Sequence, residues 1–112
     1  MSSDNPERLP IKQTVLKKLF AYSGNLCAMP ECSNALVSKK GTMIGKIAHI
    51  YAAKRKGARF KEAMTDEDRR DISNLFIVCG NCHDEIYDPN NEEDFPDTLL
   101  QEIKKKHEAV FV

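Results

Sequence analysis

From Pro10 to Tyr22 the apolar residues Ile11, Val15, Leu16, Leu19 and Phe20 fall at helical spacing, gathering on one side of a predicted α-helix. Gly24 follows where a helix closes in a left-handed cap. Residues 1–8 are polar and aperiodic and predict a disordered segment. The period changes between Ile44 and Tyr51, where β-branched and apolar residues predict a strand. Leu75-Phe-Ile-Val78 is a second, short buried-strand signal. Thr65-Asp-Glu-Asp68 combines an N-cap residue with acids in the first turn, predicting a short helix to about Ile72. A further helix is expected from the Cys79–Cys82 region to Pro89, then an acidic loop over Asn90–Asp94. Pro96-Asp97 opens a last helix, with Leu99, Leu100, Ile103 and Val110 expected on one face. No repeat or linker interrupts this series, so it predicts one α+β domain over residues 9–112.

A chain of 112 residues with 41% hydrophobic positions and no Trp supports a modest core that a metal staple would help to hold. Nothing approaches the roughly 18 apolar residues of a membrane helix. The opening MSSDNPERLP lacks the basic and apolar regions of a signal peptide, so a cytoplasmic protein with reduced cysteines is expected. Net charge is zero, but its distribution is uneven. Lys39, Lys40, Lys46, Lys54, Arg55, Lys56, Arg59 and Lys61 occupy residues 33–61 without a single acid. Asp84 to Glu102 holds eight acids and no base. One basic and one acidic face are expected, whether they serve a partner or are only solvated.

The four cysteines form two pairs, Cys27-x4-Cys32 and Cys79-x2-Cys82. Two short-spaced pairs deliver two thiolates from each of two tight turns, which suits a tetrahedral zinc. The 46 residues between the pairs exceed the span of a simple zinc ribbon. Buried thiols or exported disulfides are the other readings. The paired spacing argues against the first, and the lack of a signal peptide against the second.

Ile47-Ala-His-Ile50, followed by Asn74-Leu-Phe-Ile-Val-Cys-Gly-Asn-Cys-His83, resembles the HNH (ββα-metal) endonucleases. The resemblance runs from about Val15 to Glu108. It is narrower to a branch with an Ala-His-Ile strand, a Gly-x-Arg motif (Gly57-Ala-Arg59), a Met-Thr start to a charged helix (Met64-Thr65 to Arg70) and a closing Lys-x-x-His-Glu (Lys104 to Glu108). Members of that branch are fused to sensor modules in bacterial anti-phage systems.

The resemblance implies a small ββα-metal domain with flanking helices and a structural zinc on the four cysteines. It implies hydrolysis of DNA phosphodiesters, double-stranded DNA foremost. His49 would be the general base, a role for which a near-neutral imidazole is suited. Asn74 would orient that base or its loop, and His83 would coordinate a catalytic divalent ion, magnesium first. Many relatives carry an Asp just before the catalytic His; this chain has Ala48. Asp88 is the candidate second ligand, the other reading being an acid in the turn before Pro89. Arg59 is a candidate phosphate-binding residue. Lys54, Arg55 and Lys56 are candidates for sequence-blind backbone contacts. The helix reaching Val112 without a clear cap suggests continuation into a larger effector, and a homo-oligomer is compatible with the same reading. The competing reading is a non-catalytic, zinc-stabilised module that binds nucleic acid or protein.

Overall fold

Continuous apolar sequence marks a strand covered on both faces, and Leu75–Cys79 (β2) is buried at all five positions. The computed structural model describes residues 6–112. Its other strand, Gly45–His49 (β1), pairs antiparallel with β2 in a register running from Gly45 opposite Cys79 to His49 opposite Leu75. The result is a small α+β structure around a two-stranded sheet. The first helix, α1 (Gln13–Ser23), packs on β2 and on α4 (Asp97–Phe111). A four-residue helix, α2 (Asp66–Arg69), precedes β2. The chain leaves β2 directly into α3 (Gly80–Tyr87), which packs back on both strands. Leu36, Ala48, Ile50, Phe76, Ile77, Val78, Ile86 and Leu100 form the centre of the core.

Local chemistry accounts for these boundaries. Gly24 takes φ 57° and closes α1 as a left-handed cap. A β-carbon there would also overlap the ring of Phe111 at the far end of α4. Thr65 and Asp68 form a reciprocal capping box that holds α2 despite its length. A short 3-10 turn, Ile72–Asn74, starts on the Asp71 cap and leads into β2.

The structure corrects several expectations. The helix expected to reach Ile72 stops at Arg69 and gives way to that 3-10 turn, because the Asp71 side chain accepts from Ser73 N–H and starts a new cap. The loop expected over Asn90–Asp94 is part of a 3-10 helix, Pro89–Asp94, capped by Asp88. On α4, Leu100 and Ile103 are buried, but Leu99 is 40% and Val110 73% exposed. Both line an open groove of about 570 Å³ against Leu26, Met29 and Pro30, because the Cys27 loop runs beside α4 rather than over it. The disorder expected over residues 1–8 lies outside the described residues for 1–5. Residues 6–8 are irregular, yet Glu7 N–H bonds the Asp66 carboxylate.

Candidate functional site

The two cysteine pairs converge. The Sγ atoms of Cys27, Cys32, Cys79 and Cys82 all lie within 4.8 Å of one another, and all four residues are free thiols. Cys27 and Cys32 close a tight loop that reverses at Glu31, whose φ is 66°. Cys79 is the N-cap of α3 and Cys82 sits in its first turn, so the pair shares one helix face. Ala28 N–H donates to Ile77 C=O and fastens the loop to β2.

Bonds to sulfur of about 2.3 Å in a tetrahedron place sulfurs about 3.8 Å apart. Cys32 Sγ and Cys79 Sγ are 3.9 Å apart. Two N–H groups also point at sulfur: Cys79 N–H at Cys27 Sγ (3.3 Å) and Asn34 Nδ2 at Cys79 Sγ (3.4 Å). Burial pushes the Cys79 thiol up, but Asn34, Cys82 N–H and the neighbouring thiols outweigh it and bring Cys79 down to about 6. Burial and the adjoining sulfurs push Cys82 up. Crowded, partly buried sulfurs that ionise unevenly are those a thiophilic cation would neutralise together. The tetrad is therefore placed to hold one metal ion such as zinc.

The expected catalytic group is distributed around the end of β1. His49 is 5% exposed, and it lines a cleft of about 290 Å³ with Arg8, Leu9, Pro10, Ile11 and Ile47. Burial first, then Arg8 and His83, lower its pKa to about 4, so the imidazole is neutral at pH 7. Its backbone is clamped by Tyr87: the hydroxyl accepts from His49 N–H and donates to His49 C=O at 2.5 Å. Burial raises the Tyr87 pKa to about 12, keeping the hydroxyl able to do both.

Asn74 is buried and fully satisfied. Its Oδ1 accepts from Tyr51 N–H (2.9 Å), and its Nδ2 donates to Tyr51 C=O (2.9 Å) and Arg69 C=O (2.8 Å). Arg59, at φ 58°, donates from Nε to Ile50 C=O (2.8 Å) and from Nη1 to Ile86 and Phe95 C=O (both 3.3 Å). Among the described residues its buried Nη2 has no partner. Those bonds over-determine a backbone conformation that an L-residue ordinarily avoids. They leave Arg59 no outward pair of donors for the phosphate expected of it. Three side chains thus hold three consecutive residues: Tyr87 holds His49, Arg59 holds Ile50, and Asn74 holds Tyr51.

His83 is half-buried, with its ring 4.6 Å from that of Tyr87. Its buried Nδ1 has no hydrogen bond among the described residues, and Asp84 at 3.7 Å is too far for one. Burial and Lys46 keep its pKa low against the pull of Asp84. Asp88 spends its carboxylate on Asn90 N–H at 2.9 Å, as a turn acid does. Among the described residues the cysteine tetrad is the one cluster of three or more His, Cys, Asp or Glu able to share an ion. Neither His83 nor Asp88 belongs to such a cluster.

Lys54 and Lys56 are exposed, and with Arg55 and Pro6 they line a shallow cleft. Arg55 is paired with Glu62 at 3.0 Å. Sequence reasoning missed Tyr87, Arg8 and Asn34. Of these only Tyr87 carried a signal, an aromatic four residues after His83 on the same helix face. The chain matches no protein-family model and no curated protein sequence.

Proposed function

We propose that the chain is a zinc-stapled nuclease of the HNH type, in which zinc on Cys27, Cys32, Cys79 and Cys82 holds the strand pair and α3 together. The proposed reaction is hydrolysis of a nucleic-acid phosphodiester, DNA first. His49 takes a proton from water, the water oxygen bonds phosphorus, and the bond to the leaving sugar oxygen breaks. One observation carries the reading: a neutral, buried imidazole is clamped through its own backbone yet opens into a cleft beside an uncommitted arginine. An approaching phosphate would offset the positive charge of Arg8 and raise the basicity of His49 as substrate binds.

Asn74 and Tyr87 do no chemistry in this account. They fix the strand end on which the base sits, the kind of support that holds a catalytic group in reach of its target. Lys54 and Lys56, with Arg55, would add sequence-independent phosphate contacts.

A second reading, a zinc-held binding module, is favoured by the lack of a carboxylate cluster around His83 among the described residues. Incubating the purified zinc protein with supercoiled plasmid, with and without added magnesium or manganese, separates the two. Nicked or linear product that requires the added ion is expected. Plasmid that is bound but stays supercoiled under every ion supports the binding module.

A further inference from the structure

We infer that residues 6–11 form a fixed strap beside the His49 cleft, and that Arg8 on this strap binds the phosphate of the nucleic acid presented to His49. The inference rests on the nuclease reading for the identity of the ligand as a phosphodiester.

The strap is bonded on both sides of Arg8. Before it, Glu7 N–H donates to both carboxylate oxygens of Asp66 at 3.3 Å. After it, Pro10 C=O accepts from Arg70 Nη1 at 2.9 Å. Both anchors belong to α2 or its C-cap, so the capped turn of helix has a purpose beyond its own four residues. Arg8, Leu9, Pro10 and Ile11 then form one wall of the cleft, with Ile47 and His49 forming the other. At about 290 Å³ the cleft has room for about ten waters at ~30 Å³ each, enough for a phosphate and part of its sugar.

Arg8 is also uncommitted. It is exposed, and among the described residues its guanidinium has no hydrogen-bond or ion-pair partner. The nearby acids of α2 are already used. Asp66 serves Glu7 and Arg69, Glu67 serves Arg70, and Asp68 caps Thr65. The positive charge of Arg8 is felt at His49, His83 and Tyr87. An arginine without a carboxylate among the described residues, lining the same cleft as a neutral imidazole, lacks one thing: an anion matched to its fork. A nucleic-acid phosphate supplies it.

The test compares the parent with Arg8→Gln, Arg8→Lys and, as a control exposed cation on α4, Lys105→Gln. Binding of a fluorescein-labelled DNA duplex is followed by anisotropy without added divalent ion, and cleavage is followed with it. Zinc content and circular dichroism should be equal in all four. Arg8→Gln is expected to weaken binding about tenfold or more and to make the log–log salt slope shallower by about one. Arg8→Lys should recover part of the loss, since it restores charge without the fork, and Lys105→Gln should bind within about twofold of the parent. Equal binding by parent and Arg8→Gln overturns the Arg8 site, even if the parent cuts DNA. Weakened binding by Arg8→Gln in a protein that never cuts keeps the phosphate site and overturns the nuclease reading instead.

Discussion

His49 owes its position to a hydroxyl on another element. Without the Tyr87 hydroxyl, the N–H and C=O of His49 lose their shared partner in a buried setting. Tyr87→Phe should therefore cost about 1–3 kcal/mol in urea unfolding while zinc content is kept; an unchanged midpoint would mean that the clamp contributes nothing. The pKa of His49 gives a second prediction. Held at about 4 in the fold and about 6.5 when unfolded, it binds its proton more readily in the unfolded chain. Its contribution to stability is complete above pH 6.5 and is lost as pH falls toward 4. Between pH 7 and pH 5 the parent should lose about 2 kcal/mol more than His49→Gln, and parallel losses would place the imidazole in water. At this scale the sequence pointed to His49, Asn74, His83 and the cysteines as candidates, and of these the structure brings the four cysteines together. The sequence did not expose Tyr87, Arg8 or Asn34. An ordinary tyrosine, arginine or asparagine acquires its role only from what folding sets beside it.

Secondary elements were legible where one local rule decided them. The α1 pattern and its Gly24 cap, the two apolar strands and the Thr65 box are each written in consecutive residues. Gly24→Ala tests the first. A left-handed L-residue costs about 1–2 kcal/mol, and the new methyl must also displace the Phe111 ring. The expected outcome is a lower thermal midpoint, with faster amide exchange in the last turn of α4. A midpoint equal to the parent's would mean that the α1–α4 junction is slack. The less legible elements were settled by tertiary placement. Leu99 and Val110 fit an apolar helix stripe, but which part of that stripe is covered depends on where the Cys27 loop runs. Arg59 read as a phosphate ligand from its basic, Gly-containing surroundings. It turns inward, where its guanidinium bonds the carbonyls of Ile50, Ile86 and Phe95.

For the molecule as a whole, the tetrad joins the Cys27 loop to the junction of β2 and α3, tying the chain's first third to its last third. No helix among the described residues is long and apolar enough to cross a membrane. Thiolate zinc sites contribute about 10–16 kcal/mol to folding, as much as the ~5–15 kcal/mol total stability of an ordinary domain. Stripping the metal with a strong chelator should therefore unfold the chain, seen as loss of helical circular dichroism together with release of one zinc per chain. A fully folded, metal-free protein would remove the staple from the account. The proposed role of His49 is read from the initial rate of plasmid nicking by His49→Ala relative to the parent, at equal zinc content and equal circular dichroism. A loss of about 10² to 10⁴ in rate is expected, the contribution of a general base. A folded, zinc-loaded His49→Ala protein that nicks DNA as fast as the parent would contradict that role.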